Sequence, residues 1–325
     1  MALPKIIEVK QYSDSITHVT WIINNICPNS CRYCPPSLHT GSNHNYDWDN
    51  ARRFLDLLFQ RYTDIHFTIA GGEPSMSPFF PELVRIIHSA GHTVSVSSNA
   101  YKSSAYWEDI AAYCSWISFS YHAEYSGEQY FNNVKAAAKV TRVGANIMML
   151  GSHWLQCVKV YEELSQYKEF TTKPWRINNW LGKDNNGSDY YTPEQLAWFD
   201  NVELPPESSK VFPASNRRLP NLNAKFILDD GTVDIKNQAS LYLNRRQTDF
   251  NGYECEIGLR SLFISALGDV KRGNCNVGGV IGNINTPELI RWPTESVICP
   301  YSICGCVGDV NINKRRIPII VAEHK

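Results

Sequence analysis

The stretch His18-Val-Thr-Trp-Ile-Ile-Asn-Asn-Ile-Cys27-Pro-Asn-Ser-Cys31-Arg-Tyr-Cys34 joins two signals. A β-branched and aromatic run, His18–Ile23, reads as a strand. Three thiols then fall within eight residues, spaced C-x3-C-x2-C. A loop directly after a strand cannot bury much of its own backbone. Three cysteines placed there therefore read as a site rather than as core.

Working outward, apolar runs recur at Ile65–Ala70, Thr93–Ser97, Trp116–Ser120 and Ala145–Leu150, with a sixth near Trp175–Ile177. Helix-like segments alternate with them. Asp47–Tyr62, with Asp47 as N-cap, is followed by Pro78–Ser89, Ser104–Tyr113, Gly127–Val140 and His153–Tyr167. A βαβ series of this kind predicts an α/β fold with a parallel sheet and right-handed crossovers. Its periodicity alone leaves open a doubly wound sheet or a curved partial barrel. Either way, loops following the strands gather at one end, where sites form.

Beyond residue 180 the pattern changes. Thr192 and Pro193 predict the start of a short helix reaching Trp198. The 201–223 segment, rich in Pro, Ser and Asn, reads as a long loop. Lys225–Leu228 and Thr232–Ile235 flank Asp229-Asp230-Gly231 as a hairpin. Leu262–Ser265 and Val270–Gly273 flank Gly268 as another. The division read from this is 1–180, 181–250 and 251–325: a parallel α/β body, a connecting and substrate-shaping region, and a small β-rich unit.

The 325 residues are 43% hydrophobic and 19% charged, with net charge −1. That balance predicts a globular chain with a sizeable core and no bulk attraction to nucleic acid or anionic membrane. The N-terminal residues show no apolar run or small-residue cleavage site. No apolar stretch approaches the roughly 20 residues needed to span a bilayer. The expectation is a cytoplasmic protein without a membrane partner.

There are ten cysteines. With no secretory signal read, a disulfide framework is not expected, and clustered thiols point to metal. Cys114 and Cys157, isolated in apolar segments, read as small buried hydrophobes. Soft thiolates select iron–sulfur clusters, zinc or copper(I). Three ligands would leave one iron of a 4Fe–4S cube open; a structural zinc loop is the alternative. A second set, Cys255, Cys275, Cys299, Cys304 and Cys306, surrounds the Gly268 hairpin and suggests a second centre, again with zinc as the alternative.

The triplet after the first strand, with aromatic Tyr33 just before its third cysteine, resembles the radical S-adenosylmethionine superfamily. Ala70-Gly71-Gly72-Glu73-Pro74, ending the second barrel strand, is similar to that superfamily's GGEP segment. The resemblance implies a partial (β/α)6 TIM-like barrel. It implies that Cys27, Cys31 and Cys34 hold a 4Fe–4S cluster whose open iron takes the amino and carboxylate groups of S-adenosylmethionine. Reductive cleavage would then give a 5′-deoxyadenosyl radical that abstracts a substrate hydrogen, with an external one-electron donor such as flavodoxin or ferredoxin. The positions it implies for the cofactor are Tyr33, Gly71, Gly72, Glu73, Pro74, Ser97, Asn99, Ser120, His122, Asn146 and Met148. A glycine pair also permits positive φ and close backbone approach to a ligand.

Residues 250–310 resemble the auxiliary-cluster extensions called SPASM and Twitch. Five cysteines are too few for a two-cluster SPASM domain. The resemblance therefore implies one auxiliary 4Fe–4S cluster, with the choice among Cys299, Cys304 and Cys306 open. Trp175, Arg176, Asn178, Asn179, Trp180, Arg217 and Arg218 are candidates for contact with a planar or anionic substrate.

Three functional readings follow. The first is radical modification of a small molecule, amino acid or nucleotide. The second is crosslinking or oxidation of a ribosomally made peptide, which the 26 residues before Cys27 disfavour as too few for a peptide-recognition domain. The third is a non-catalytic iron–sulfur or zinc protein.

Overall fold

The computed structural model describes residues 4–12, 15–39, 41, 47–177, 191–202, 224–235, 239–244 and 247–317. In chain order the first part runs β1 (Ile6–Gln11), β2 (Thr17–Ile22), α1 (Trp48–Arg61), β3 (Ile65–Ala70), α2 (Phe80–Ser89), β4 (Thr93–Ser98) and α3 (Ser104–Ala111). It continues with β5 (Trp116–His122), α4 (Glu128–Ala138), β6 (Arg142–Met148), α5 (Trp154–Ser165), β7 (Thr171–Trp175) and α6 (Pro193–Asn201). Six β/α units thus run from β2 to α6.

Strands β2 to β7 pair in parallel, each with the next in sequence. A doubly wound sheet would reverse its strand order at a switch point. This unreversed order is that of a TIM-like barrel left open, and it settles the alternative that periodicity left standing. The end strands of the sheet, β7 and β13, are not paired to each other.

Alternation explains why these residues make strands. Val19, Trp21, Ile23, Phe67, Ile69, Val96, Ile117, Phe119, Ala145 and Ile147 are buried toward the helices. Opposite them lie less buried, mostly polar residues: Thr20, Thr68, Ser95, Ser97, Ser118, Ser120 and Asn146. Helix α1 meets the core with Ala51, Phe54, Leu55 and Leu58, an i, i+3, i+4, i+7 stripe. Its N-cap is Asp47, which accepts from the Asn50 N–H at 3.1 Å. Helix α6 starts on the expected Thr192 with a full capping box to Gln195. Cys114 and Cys157 are buried, as read from their apolar surroundings.

Two strands lie earlier than expected. The fifth begins at Arg142, not Ala145, and includes Gly144. A Cβ there would sit 2.7 Å from the Trp116 ring, so the glycine makes room for an indole. The sixth is Thr171–Trp175, not Trp175–Ile177, and contains Pro174. Because β7 is an edge strand, its missing N–H costs no interior ladder bond.

The rest of the chain adds β8 (Ala224–Leu228), β9 (Val233–Asp234), α7 (Ala239–Asn244), β10 (Tyr253–Cys255), β11 (Ser261–Ile264), β12 (Asp269–Lys271), β13 (Val280–Asn283), β14 (Val297–Ile298), α8 (Val307–Val310) and β15 (Lys314–Arg316). Both expected hairpins form, and Gly231 (φ +85°) and Gly268 (φ +81°) occupy their turns.

The 251–325 region divides between two sheets. β11 lies parallel beside β2, and β12 and β13 extend that sheet to nine strands. β10, β14 and β15 join β1, β8 and β9 in a second sheet of six. This sheet has its own core, including Ile6, Val9, Phe226, Phe250, Ile257, Val310 and Ile312, into which Cys255, Cys299 and Cys304 are built.

Candidate active site

The loop carrying the thiol triplet is strapped to the end of β3. Gly72 N–H donates to the Asn24 carbonyl at 3.0 Å and Glu73 N–H to that of Ile26 at 2.7 Å. The buried Asn24 side chain returns a bond to the Glu73 carbonyl at 2.9 Å. A Cβ on Gly72 would lie 2.4 Å from the Ile26 oxygen, and one on Gly71 2.8 Å from the Asn24 oxygen. Neither glycine has positive φ. The pair is there because the β3 end and the thiol loop touch backbone to backbone; the positive φ that glycine permits is not used.

Glu73 is fully buried. Burial pushes its carboxyl up, opposed by donors converging on it. The Ser75 N–H donates at 2.9 Å and its hydroxyl at 2.5 Å, the Ser98 hydroxyl at 3.0 Å and the Asn99 N–H at 2.8 Å. The Asn99 side chain then donates to Cys27 Sγ at 3.5 Å. One carboxyl thus ties the end of β3 to the end of β4 and, through Asn99, to the first thiol. Ala100 follows with φ +63°, a strained left-handed conformation. Asn133 holds it by donating to the Ala100 carbonyl at 2.7 Å.

The second thiol meets the end of β5. Cys31 Sγ lies 3.4 Å from His122 Nδ1, and the Tyr33 hydroxyl lies 2.6 Å from the same nitrogen. The two rings stack at 6.0 Å and 14°. Burial lowers His122 to about 4, with His39 adding to the effect, and pushes Tyr33 upward. The ring is therefore neutral, and its Nδ1 meets both the Tyr33 hydroxyl and the Cys31 thiol.

Burial also raises all three thiols: Cys31 to about 12, Cys34 to about 11, and Cys27 in the same direction. Neighbouring thiols add to the shift in Cys31 and Cys34. Crowded, buried thiols of this kind lose their protons when a cation joins them. This soft donor set fits an iron–sulfur cluster on chemistry and placement. Among the described residues, no three His, Cys, Asp or Glu side chains converge on a single metal ion. A cube asks for something different, since each thiolate binds its own iron.

The remaining expected positions line the polar face of the sheet. Pro74 opens a buried turn after β3. Ser97 is exposed and pairs in register with Ser118. Ser120 pairs with Asn146, and His122 with Met148, which pairs with Trp175. Trp175 is 40% exposed at the end of β7. Arg176 lies over the rings of Tyr191 and Phe199, its guanidinium 5.9 Å from each centroid. Asn178, Asn179, Trp180, Arg217 and Arg218 lie outside the described residues. Asn24, Ser75 and Asn133 were missed by sequence reading. Ser98 belongs to the strand-end stretch with Ser97 and Asn99, and alternation sends it to the opposite side, where it donates to Glu73.

The second thiol set surrounds a cavity in the smaller core. Its lining includes Cys255, Cys275, Cys299, Cys304, Asp309 and Lys314, and Cys306 is not part of it. Cys306 instead forms the N-cap position of α8, its carbonyl accepting from Val310 N–H at 2.9 Å. Burial raises Cys275 and Cys304 to about 12. The Asp309 carboxyl accepts the Cys275 N–H at 2.8 Å and the Asn274 N–H at 3.4 Å. Gly273 keeps this turn close, since a Cβ there would meet Ile257 at 2.5 Å and Asp309 at 3.0 Å.

Compared with known proteins, residues 21–153 match the family model described as the radical SAM superfamily. No curated protein matches. Among solved structures, SuiB of Streptococcus suis is 14% identical with a TM-score of 0.45, over 84% of this chain and 64% of that one. The same protein bound to S-adenosylmethionine gives 13% and 0.48 over the same shares. Native anSMEcpe with bound AdoMet and Kp18Cys peptide gives 14% and 0.46, over 83% and 78%. The chain thus spans about 64% of the length of the SuiB chains it matches.

Proposed function

We propose that the chain is a radical SAM enzyme, residues 21–153 matching that superfamily's model, that Cys27, Cys31 and Cys34 hold its 4Fe–4S cluster, and that the reaction removes a hydrogen atom from a small polar substrate. When bound, the cluster and S-adenosylmethionine supply a 5′-deoxyadenosyl radical, using one electron from an external donor of the flavodoxin or ferredoxin kind.

The protein's own residues position and shield that chemistry. Asn99 and His122 touch Cys27 and Cys31 and hold the triplet at the ends of β4 and β5. Gly71, Gly72, Glu73 and Pro74 present a backbone shelf beside it. Tyr33, Ser97, Asn99, Ser120, His122, Asn146 and Met148 are the groups we assign to the cofactor's polar and ring contacts. The hydroxyl- and amide-rich inner face of the open sheet supports a substrate that is small and polar. In the smaller core, Cys255, Cys275, Cys299 and Cys304 are the four ligands we assign to an auxiliary 4Fe–4S cluster, with Cys306 outside the set.

The observation carrying the reading is the chain of contacts from Glu73 through Asn99 to Cys27, which joins the Gly71–Pro74 shelf to the thiol loop. The test is anaerobic reconstitution with iron and sulfide, then reductant and S-adenosylmethionine, with 5′-deoxyadenosine as the readout. Wild type should form it and Cys31→Ala should not. Product undiminished in Cys31→Ala refutes the assignment.

A further inference from the structure

Lys314 is 3% exposed in the core of the second sheet. Lysine is rarely found so deep without a compensating charge. On β15 it stands directly opposite Cys255 of β10, and its side chain shares the cavity of Cys255, Cys275, Cys299 and Cys304. The ammonium is fixed in place. It donates to the carbonyls of Asp309, of Val310 at 3.2 Å and of Ile312 at 3.0 Å, and lies 5.1 Å from the Phe250 ring centroid.

These carbonyls orient the cation without cancelling its charge. The Asp309 carboxyl beside it is turned to the backbone N–H groups of Cys275 and Asn274. A 4Fe–4S cube on four thiolates is net negative, and the charge around it sets its reduction potential.

We infer that Lys314 is a positioning residue of the auxiliary cluster: a fixed counter-cation that raises the potential at which the cluster takes up one electron. This rests on the reading that the surrounding thiols hold a 4Fe–4S cluster.

The test uses the full chain with Cys27, Cys31 and Cys34 all changed to Ala, so that only the auxiliary cluster remains. Iron and sulfide are counted after reconstitution, and the potential is titrated by electron paramagnetic resonance. About four irons are expected in this parent; none would refute the cluster reading itself. Lys314→Met and Lys314→Gln should lower the equilibrium constant for reduction at least tenfold, 59 mV for one electron. Lys314→Arg should stay close to the parent. Full iron with an unchanged potential in the Met and Gln variants overturns the inference alone. Iron lost from these two but kept by Lys314→Arg supports it, because charge is then what the cluster requires. Iron lost from the Arg variant as well overturns it.

Discussion

Glu73 accepts the backbone N–H of Asn99 at 2.8 Å, so a carboxyl at the end of one strand sets the first residue past the next. Removing it by Glu73→Ala strands the Ser75 and Asn99 N–H groups in a buried site, at about 1–3 kcal/mol for each orphaned donor. The expected result is a chain destabilised by several kcal/mol in urea unfolding. Iron binding should also weaken, because Asn99 no longer holds Cys27 in place.

Gly72→Ala should be among the most damaging single-methyl changes. Its Cβ meets the Ile26 carbonyl at 2.4 Å and the Leu38 carbonyl at 2.8 Å, which are backbone and cannot rotate away. Overpacking of this kind costs about 3 kcal/mol. Gly127→Ala is the control, with nothing within 4 Å of its added methyl and φ at −114°. Thermal unfolding and iron content of the two variants should separate clearly.

A histidine pair near the starts of β2 and β3 makes stability depend on pH. His66 Nδ1 lies 2.9 Å from Thr93 Oγ1 and its Nε2 2.8 Å from Ser95 Oγ, partners that suit a neutral ring. Burial lowers it to about 3, with His18 adding, and lowers His18 to about 4, against an ordinary 6.5. Between those values the unfolded chain binds more protons, so stability rises with pH and is lost on acidification below about 6.5. The slope reaches about 1.4 kcal/mol per pH unit for the fully buried His66, and less for half-buried His18. Urea midpoints of the metal-free chain at pH 5 to 7 should show it, and His66→Gln should flatten the curve. An equally steep curve in that variant would refute this origin.

Cys304 and Cys306 should behave differently despite their proximity in sequence. Cys304→Ala removes a thiol from the cavity lining and should cost about half of the reconstituted iron. Cys306→Ala, off that lining, should retain it. Iron assay of both variants decides this, and the reverse result would reassign the fourth ligand.

Much of the barrel was legible because its signals are local. Strand alternation, the Asp47 and Thr192 caps and the glycine turns all act within a few residues. The thiol triplet was legible for the same reason. The strand starts at Gly144 and Pro174 were not, since each is tolerated through a distant circumstance: the Trp116 ring in one case, an edge position in the other. The register of Cys255 against Lys314, and the buried partners of Glu73, are likewise fixed by pairings between remote segments. Local periodicity does not encode those.

The parallel seat of β11 beside β2 has a consequence for the order of assembly. During synthesis, Thr17–Ile22 emerges early and finds β3 on one side, while its other edge waits for Ser261–Ile264. Until then an apolar strand bearing Trp21 offers free backbone groups to any passing chain. A trimmed version ending near residue 250 would keep that edge open permanently, and is expected to aggregate even though it retains all six β/α units.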